Sequence, residues 1–362
     1  MDGVTDAPMR FIAKKYGKAD IVYTEFVSAE GLWRIKNRGE MENKIWQDLR
    51  FDHSQGPNIV QLFGSDPESF YESAKIVCEM GFDGIDINMG CPSPGLEKRG
   101  GGAGLIRDKC NAVEVVEATR RGVNEYIRTQ GIKNSRNQDK VIPVSLKTRI
   151  GSERSDPKWW EVIAGMGMPA VAMHGRTFKQ LYSGEADWES LFKAAEIIRE
   201  SGALFLGNGD VQQISVRTAP KPYSDHPQAG SRLRAVFASA SAPIEFAVDL
   251  KGGREIDLTG KMDGVLIGRG AIGNPWILKR TLELKESRTQ DEEIEERLRV
   301  AVEHSEVFEK LLPEQKFFVM RKHLVGYCSG FPEATELRKL LVQTNSALEV
   351  EEAIKTWMAL KL

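Results

Sequence analysis

The sequence predicts an α/β protein: a (β/α)8 TIM barrel whose first strand is absent, followed by a C-terminal helical domain. Three observations carry this expectation. Short apolar, β-type runs alternate with helical stretches through most of the chain. Nearly every one of those runs ends in a polar or reactive residue. From residue 276 onward the strand-like runs stop and only helical periodicity remains.

The predicted strands are "IVYTEFVSA" (21–29), "NIVQLFG" (58–64), "GIDINMGCP" (84–92), "VIPVSLKTRI" (141–150), "AVAMHGRT" (170–177), "ALFLGNGDV" (203–211) and "GVLIGRGAIG" (264–273). Between them lie predicted helices at 66–81, 111–127 and 187–202. For the first of these, Asp66 suits the N-cap, Pro67 the first helical position and Gly81 the C-cap. Apolar strands separated by helices read as a parallel sheet buried on both faces. A doubly wound sheet gathers its site at one switch point, whereas a barrel spreads it over many C-terminal strand ends. Here Gln61, Asn88, Cys91, Lys147, Arg149, His174, Arg176, Asn208, Asp210 and Arg269 end different strands, and no GxGxxG opens a helix after the first strand. The barrel is therefore expected.

The expected domains are a catalytic barrel over 1–280 and a helical domain over 281–362, with "KESRTQDEE" as a linker-like junction. Helices are predicted in "PWILKRTLELK", "DEEIEERLRVAVEHSEVFEKLL", "EQKFFVMRKHLVGYCSG", "ATELRKLLVQT" and "VEEAIKTWMALKL". Two stretches look inserted, 128–140 and 212–246. No internal repeat is found.

The 362 residues are 41% hydrophobic and 28% charged, the profile of an ordinary globular chain. Lys and Arg number 50 against 52 Asp and Glu, so the net charge of −2 offers no global attraction to nucleic acid, and an RNA contact requires a local basic patch. Cys78, Cys91, Cys110 and Cys328 contain no CxxC pair. Neither a disulfide framework nor a zinc site is expected, no metal is called for, and a reducing cytoplasm suits them. No signal-peptide core or bilayer-spanning apolar run is visible.

"LGNGDV" and "VLIGRGAIG" end the last two strands, where barrels frequently hold a phosphate through backbone N–H groups. Gly209, Gly268 and Gly270 permit close backbone approach, and Arg269 can fork onto a phosphate. Lys147 and Arg149 alternate along one strand and so point the same way. They either meet a ligand or form a buried ion pair with Asp86 or Glu25. Lys147 suits the pyrimidine edge of a flavin, where a cation stabilises the anionic reduced ring. Gln61 can hydrogen-bond the same ring, and His174 sits at a strand end where a site role competes with that of a core histidine. Cys78 and Cys110 fall on helix faces and read as small hydrophobes. Cys91 differs: it follows Asn88 at a strand end and precedes Pro92 and a Gly-rich, basic loop. As a nucleophile it needs a partner base and a lowered pKa; as a general acid it needs a thiol kept protonated, with a pKa not far from its ordinary ~8.5.

These elements together resemble the tRNA-dihydrouridine synthases. The matching pieces run in order through nearly the whole chain: "MDGVTDAPMR", "VQLFG", "DINMGCPSP…GGAGL", "SLKTRIG", "MHGRT…QLYSGEADW", "GNGDV", "DGVLIGRGAIGNPW" and "RKHLVGYCSGFPEATELRK". The resemblance implies an FMN-dependent barrel enzyme that uses NADPH to reduce specific uridines of tRNA. It implies that Met1 and Asp2 line the flavin, that Gln61, Lys147 and His174 contact its ring or ribityl part, and that Asn208, Gly209, Asp210, Gly268 and Arg269 hold the ribityl and phosphate end. Cys91 would protonate uracil C5 after hydride reaches C6. Asn88, Lys98, Arg99 and Arg176 would meet the substrate near the cysteine loop, which must open for an extruded uridine. Arg321, Lys322, His323, Arg338 and Lys339 would grip the tRNA body, unless they form only a solvated helix face. The competing readings are an FMN barrel oxidoreductase acting on a small molecule, of dihydroorotate-dehydrogenase or ene-reductase type, and a non-catalytic RNA-binding factor.

The sequence departs from that family pattern twice. The strand that normally precedes "MDGV" is not there, and the segment between "GNGDV" and "DGVLIGRG" is long. The first departure leads to the expectation that Met1 is internal to a longer protein, lies at the barrel mouth, and leaves a gap between the "IVYTEFV" and "GVLIGRG" strands. "RAVFASA" in the insertion is the alternative source of a strand.

Overall fold

The computed structural model describes residues 1–40, 43–52, 56–130, 142–216, 246–278 and 289–360. All seven predicted strands are present: β1 (Val22–Ser28), β2 (Asn58–Phe63), β3 (Gly84–Met89), β4 (Val144–Arg149), β5 (Ala170–His174), β6 (Leu204–Asn208) and β10 (Gly264–Leu266). They form one parallel sheet in the order β1-β2-β3-β4-β5-β6-β10. From β1 to β6 each strand pairs with the next along the chain, and β10 pairs with β6, the succession of a β/α barrel. β1 and β10 stand at the two edges, and no pairing joins them among the described residues. Both edges nonetheless line one cavity, so among the described residues the sheet curls round without closing. The gap falls where the sequence placed it, between the "IVYTEFV" and "GVLIGRG" strands.

Alternation along each strand separates two environments. In β3, Ile85 and Ile87 are buried with the helices Pro67–Glu79 and Lys109–Thr129, whereas Asp86 and Asn88 face the sheet interior. The helix Pro67–Glu79 begins as predicted, with Asp66 accepting the Ser69 N–H and Pro67 in its first turn. Such a cap contributes about 1 kcal/mol. The N-terminal "TDAPMR" likewise forms a capped helix, Ala7–Lys15, in which Asp6 accepts the Met9 N–H at 2.9 Å.

Between β6 and β10 the chain adds a small antiparallel sheet, β7 (Val211–Val216), β8 (Phe246–Leu250) and β9 (Arg254–Asp257), in that order. It was not anticipated. The β8–β9 hairpin turns through Gly252 and Gly253, both at positive φ, and Gly253 N–H closes onto Leu250 C=O. That Gly-Gly pair was the signal available in the sequence. Most of the 212–246 stretch, "RAVFASA" included, lies outside the described residues, as do most of 128–140 and the expected domain junction at 280.

The C-terminal part is helical: Gln290–Leu311, Arg321–Tyr327, Ala334–Leu341 and Ala347–Ala359. Of "PWILKRTLELK", the described portion forms a 3-10 turn, Pro275–Leu278, and the rest lies outside the described residues. The helices build their own apolar core around Phe308, Leu324, Tyr327, Leu337, Val350 and Trp357, and Ile12 of the N-terminal helix is part of it. Arg50 pairs bidentately with Glu314, and Lys15 with Glu303, across the same boundary. At Gly273 a Cβ would lie 2.0 Å from the backbone carbon of Gly326, so the two parts meet backbone to backbone.

Candidate active site

The C-terminal ends of β2 to β6 and β10 converge on a cavity of about 1220 Å³. That exceeds the usual 300–1,000 Å³ of small-molecule pockets, because the space continues down the open seam between β1 and β10. Met1, Asp2, Gln61, Asn88, Cys91, Lys147, His174, Arg176, Asn208, Gly209, Asp210, Gly268 and Arg269 all line it. Arg149 and Gly270 line it too, so the residues singled out along the strand ends meet in one place. Lys98, Arg99, Arg321, Lys322 and Arg338 do not line it.

A chain of hydrogen bonds organises the floor. Asp86, fully buried, accepts from Gln61 Nε2 at 2.7 Å and from Ser145 Oγ at 2.7 Å. Asn88 Nδ2 donates to Gln61 Oε1 at 2.8 Å. Asn88 Oδ1 then accepts the backbone N–H groups of Gly90 and Cys91, at 3.0 and 2.8 Å. Asn88 is therefore spent on holding the turn that carries the thiol. Burial pushes the Asp86 carboxyl up to about 6, against the pull of its two donors and of Lys147.

Cys91 is partly buried, and burial is the largest influence on it, raising its thiol above the ordinary value of 9.0 despite the nearby Ser93 N–H and Arg149. The group stays a thiol at neutral pH. Its loop is folded: a short helical turn, Pro94–Glu97, leads to a 3-10 turn at Gly102–Ile106, and Ala103 N–H donates to Cys91 C=O at 3.2 Å. Gly102 has φ 56°, and a Cβ there would sit 3.0 Å from the Cys91 carbonyl oxygen. Lys98 and Arg99 point outward on this loop and are exposed.

Lys147 and Arg149 share a strand face and have opposite circumstances. Arg149 donates to three carbonyls, Gly90 (2.7 Å), Thr177 (2.9 Å) and Leu181 (3.1 Å), and so ties the cysteine turn to the loop after β5. Its role as a clamp was not legible from the sequence. Lys147 has no ion pair or hydrogen bond among the described residues, so the alternative of a salt bridge with Asp86 or Glu25 does not hold: Asp86 is taken by Gln61 and Ser145. Burial, followed by the charge of Arg149, lowers the Lys147 ammonium to about 8. It is an unpaired cation aimed into a cavity.

His174 is held neutral: burial, then Lys147, Arg149, Arg176 and Arg269, lower its pKa to about 2. Arg176 Nη1 lies 3.4 Å from His174 Nε2, and a guanidinium can only donate, so Nε2 accepts and the ring proton is on Nδ1. Arg176 also forms a buried ion pair with Asp210 at 2.7 Å, and Asp210 accepts the Ala186 N–H at 2.8 Å. Asn208 Nδ2 donates to Leu266 C=O at 2.6 Å and so fastens the edge strand β10. The side chains of Arg176, Asp210 and Asn208 are thereby committed to the protein. Gly209, at φ 129°, is packed too closely for a side chain, since a Cβ would lie 2.7 Å from Ala186 Cβ and 3.0 Å from the His174 ring. At Gly268 a Cβ would approach Met1 Sδ at 3.1 Å. Arg269 is exposed and stacks over the Tyr182 ring, 4.7 Å from its centroid. Tyr182 itself is 59% exposed at the cavity rim and was noticed in the sequence only as part of the "YSGEADW" match.

On the helical part, Arg321 and Lys322 open the helix Arg321–Tyr327 and Arg338 and Lys339 end Ala334–Leu341. Arg321 Nη2 donates to Asn345 at 3.3 Å, and Lys322 Nζ lies 3.6 Å from where a Cβ on Gly3 would stand, next to the cavity-lining Asp2. His323 is fully buried, which removes it from any basic surface.

A site assembled from six strand ends belongs to an α/β enzyme working at the C-terminal face of a parallel sheet. Comparison with known proteins is more specific. The family described as dihydrouridine synthase matches residues 1–221 and 253–361, and the chain belongs to that family. It is 26% identical to a probable tRNA-dihydrouridine synthase 1 of Synechocystis sp., an alignment spanning 98% of this chain and 85% of the relative. It is 26% identical to a probable tRNA-dihydrouridine synthase of Staphylococcus epidermidis, over 99% and 92% of the two chains. A third, from Rickettsia bellii, is 27% identical over 98% and 91%.

Proposed function

We propose that this protein is a flavin-dependent oxidoreductase that reduces the C5–C6 double bond of uridines in tRNA to 5,6-dihydrouridine, in the cytoplasm. The observation that carries the reading is the pairing, in one cavity, of an unpartnered buried cation, Lys147, with a thiol that burial keeps protonated, Cys91. The residues fit FMN: a cation with no protein partner suits the pyrimidine edge, and the cavity wall at Gly209 and Gly268, which carry no side chain, suits the ribityl-phosphate end, with Arg269 beside it. When bound, FMN would supply a hydride to C6 of uracil, replenished by NADPH.

The chain's own residues do the rest. Cys91 gives its proton to C5, so that hydride plus proton account for both hydrogens added across the double bond. Asn88 and Arg149 hold the turn that positions the thiol. Neutral His174 and Gln61 offer hydrogen bonds without adding charge near Lys147. Tyr182 at the rim presents a face on which a base can stack. A uridine of folded tRNA must be extruded to reach this depth, and the breadth of the cavity allows it. Arg321, Lys322, Arg338 and Lys339, with Lys98 and Arg99, supply phosphate contacts that the net charge does not.

The test is the oxidation of reduced flavin in the FMN-loaded protein. Acceleration by unmodified tRNA, with dihydrouridine found by nucleoside mass spectrometry, is expected. Acceleration by small enones or orotate, and none by tRNA, would replace this reading with a small-molecule oxidoreductase. A protein that never retains flavin would replace it with an RNA-binding factor.

A further inference from the structure

Away from the cavity, where the helical part meets the N-terminal helix, Asp6, His304 and His323 come together. Their exposures are 4%, 0% and 0%. One ligand-type atom from each lies within 4.8 Å of the other two. None of the three lines the cavity. Four of their polar atoms have no hydrogen-bond partner: Asp6 Oδ2, His304 Nε2, and both ring nitrogens of His323. Leaving one such group unsatisfied costs about 1–3 kcal/mol, and a native core seldom tolerates several in one place.

The other contacts of these residues leave those atoms available. Asp6 Oδ1 is used by the Met9 N–H, which turns Oδ2 toward the histidines, 3.8 Å from His323 Nε2. His304 Nδ1 lies 3.1 Å from Tyr327 Oη. With the proton on Nδ1 and donated to that hydroxyl, the Nε2 lone pair is free, the outer-shell arrangement that orients imidazole ligands on metals. Arg10, a buried cation whose charge is felt by Asp6, spends its guanidinium on the Thr5 and Arg50 carbonyls. A simple Asp6–His323 ion pair would leave His304 Nε2 and His323 Nδ1 unexplained.

We propose that Asp6, His304 and His323 bind one divalent transition-metal ion, Zn2+ by donor set, which staples the helical part to the N-terminal helix. Two imidazoles and a carboxylate suit Zn2+ at about 2.0–2.2 Å, with a water in the fourth position, and binding would draw the three ligand atoms inward. The cysteine spacing that gave no reason to expect zinc bears only on thiolate sites.

The experiment uses the full chain. Purified protein, stripped with a strong chelator and then dialysed against Zn2+ or Co2+, should retain about one equivalent. Co2+ should give visible absorption of an imidazole-ligated, low-coordinate site. Zn2+ should raise the Tm, since it binds only the folded chain. His304→Gln and His323→Gln should lose the equivalent and the Tm shift, whereas Cys110→Ser, at an exposed thiol, should keep both. If the stripped wild-type chain takes up neither ion, or retains no more than the two variants, the proposal is overturned. If the variants do not fold, the wild-type Co2+ spectrum decides: bands of imidazole ligation support the site, and a spectrum of aqueous Co2+ overturns it.

Discussion

Asn88 Oδ1 accepts the backbone N–H of Cys91 at 2.8 Å, three residues further along the chain. This bond, with the companion bond to Gly90, sets the direction in which the thiol leaves β3. Asn88→Ala should leave FMN bound and reducible by NADPH while slowing uracil reduction by about tenfold or more, the scale on which loosened positioning costs rate. Asn88→Asp, which keeps the acceptor, should recover part of it. Unchanged single-turnover rates on unmodified tRNA would show that the turn holds itself.

Cys91→Ala should retain FMN and slow uracil reduction by about 10²–10⁴-fold, the usual worth of a placed general acid. Cys78→Ala and Cys110→Ala should leave the chemical step alone. Because burial raises the thiol, the wild-type rate should stay flat through neutral pH; the proton to be donated is lost only above about 9, after Lys147 has begun to lose its charge near 8. An alkaline limb at or below neutral pH would point to a thiolate mechanism instead.

The ion pair of Arg176 and Asp210 is buried on both sides, 4% and 10% exposed. Arg176→Ala leaves an uncompensated carboxylate there and should cost about 3–5 kcal/mol. The double variant Arg176→Met with Asp210→Asn should regain much of that in urea unfolding, because neither charge remains to be solvated and Asn keeps both the acceptor for Ala186 N–H and the tolerance of φ 57°. Equal destabilisation of the single and double variants would mean that packing, not charge, dominates.

His174 makes stability depend on acidity. The unfolded chain protonates this ring near 6.5, while the folded protein refuses the proton down to about 2. Between those values the unfolded state binds more protons, so stability is full above about 6.5 and falls as pH falls. His174→Gln should flatten the loss of Tm between about pH 7 and about pH 5. A variant with the same acid limb as wild type would place the titrating group elsewhere.

Replacing Arg321, Lys322 and Lys339 together with Ala should weaken tRNA binding and make its salt dependence shallower by up to about three units of slope, since each phosphate contact releases close to one counterion. NADPH-driven reduction of FMN should be unaffected. An unchanged slope would locate the RNA contact on another face, with Lys98 and Arg99 next to be tried.

The alternation of apolar strands and helices, the polar strand ends and the order of motifs are local properties of the chain, so the sequence by itself determined the parallel α/β sheet, all seven strand positions, the Asp66 cap and the set of residues that share the cavity. Backbone direction explains why: side chains at the C-terminal ends of successive parallel strands must emerge on the same side. What each does there depends on partners far away in sequence, and only the tertiary structure decided it. Lys147 and Arg149 sit two residues apart, yet one is an unpaired cation and the other is absorbed by three carbonyls. Asp210 and Arg176 satisfy each other, and Asn208 is spent on an edge strand. The Asp6, His304 and His323 cluster spans nearly the whole chain, and no spacing rule brings its members together. The three-stranded sheet beyond β6 likewise rests on pairing between β7 and β8 across a long intervening segment, a contact for which strand-length periodicity carries no signal.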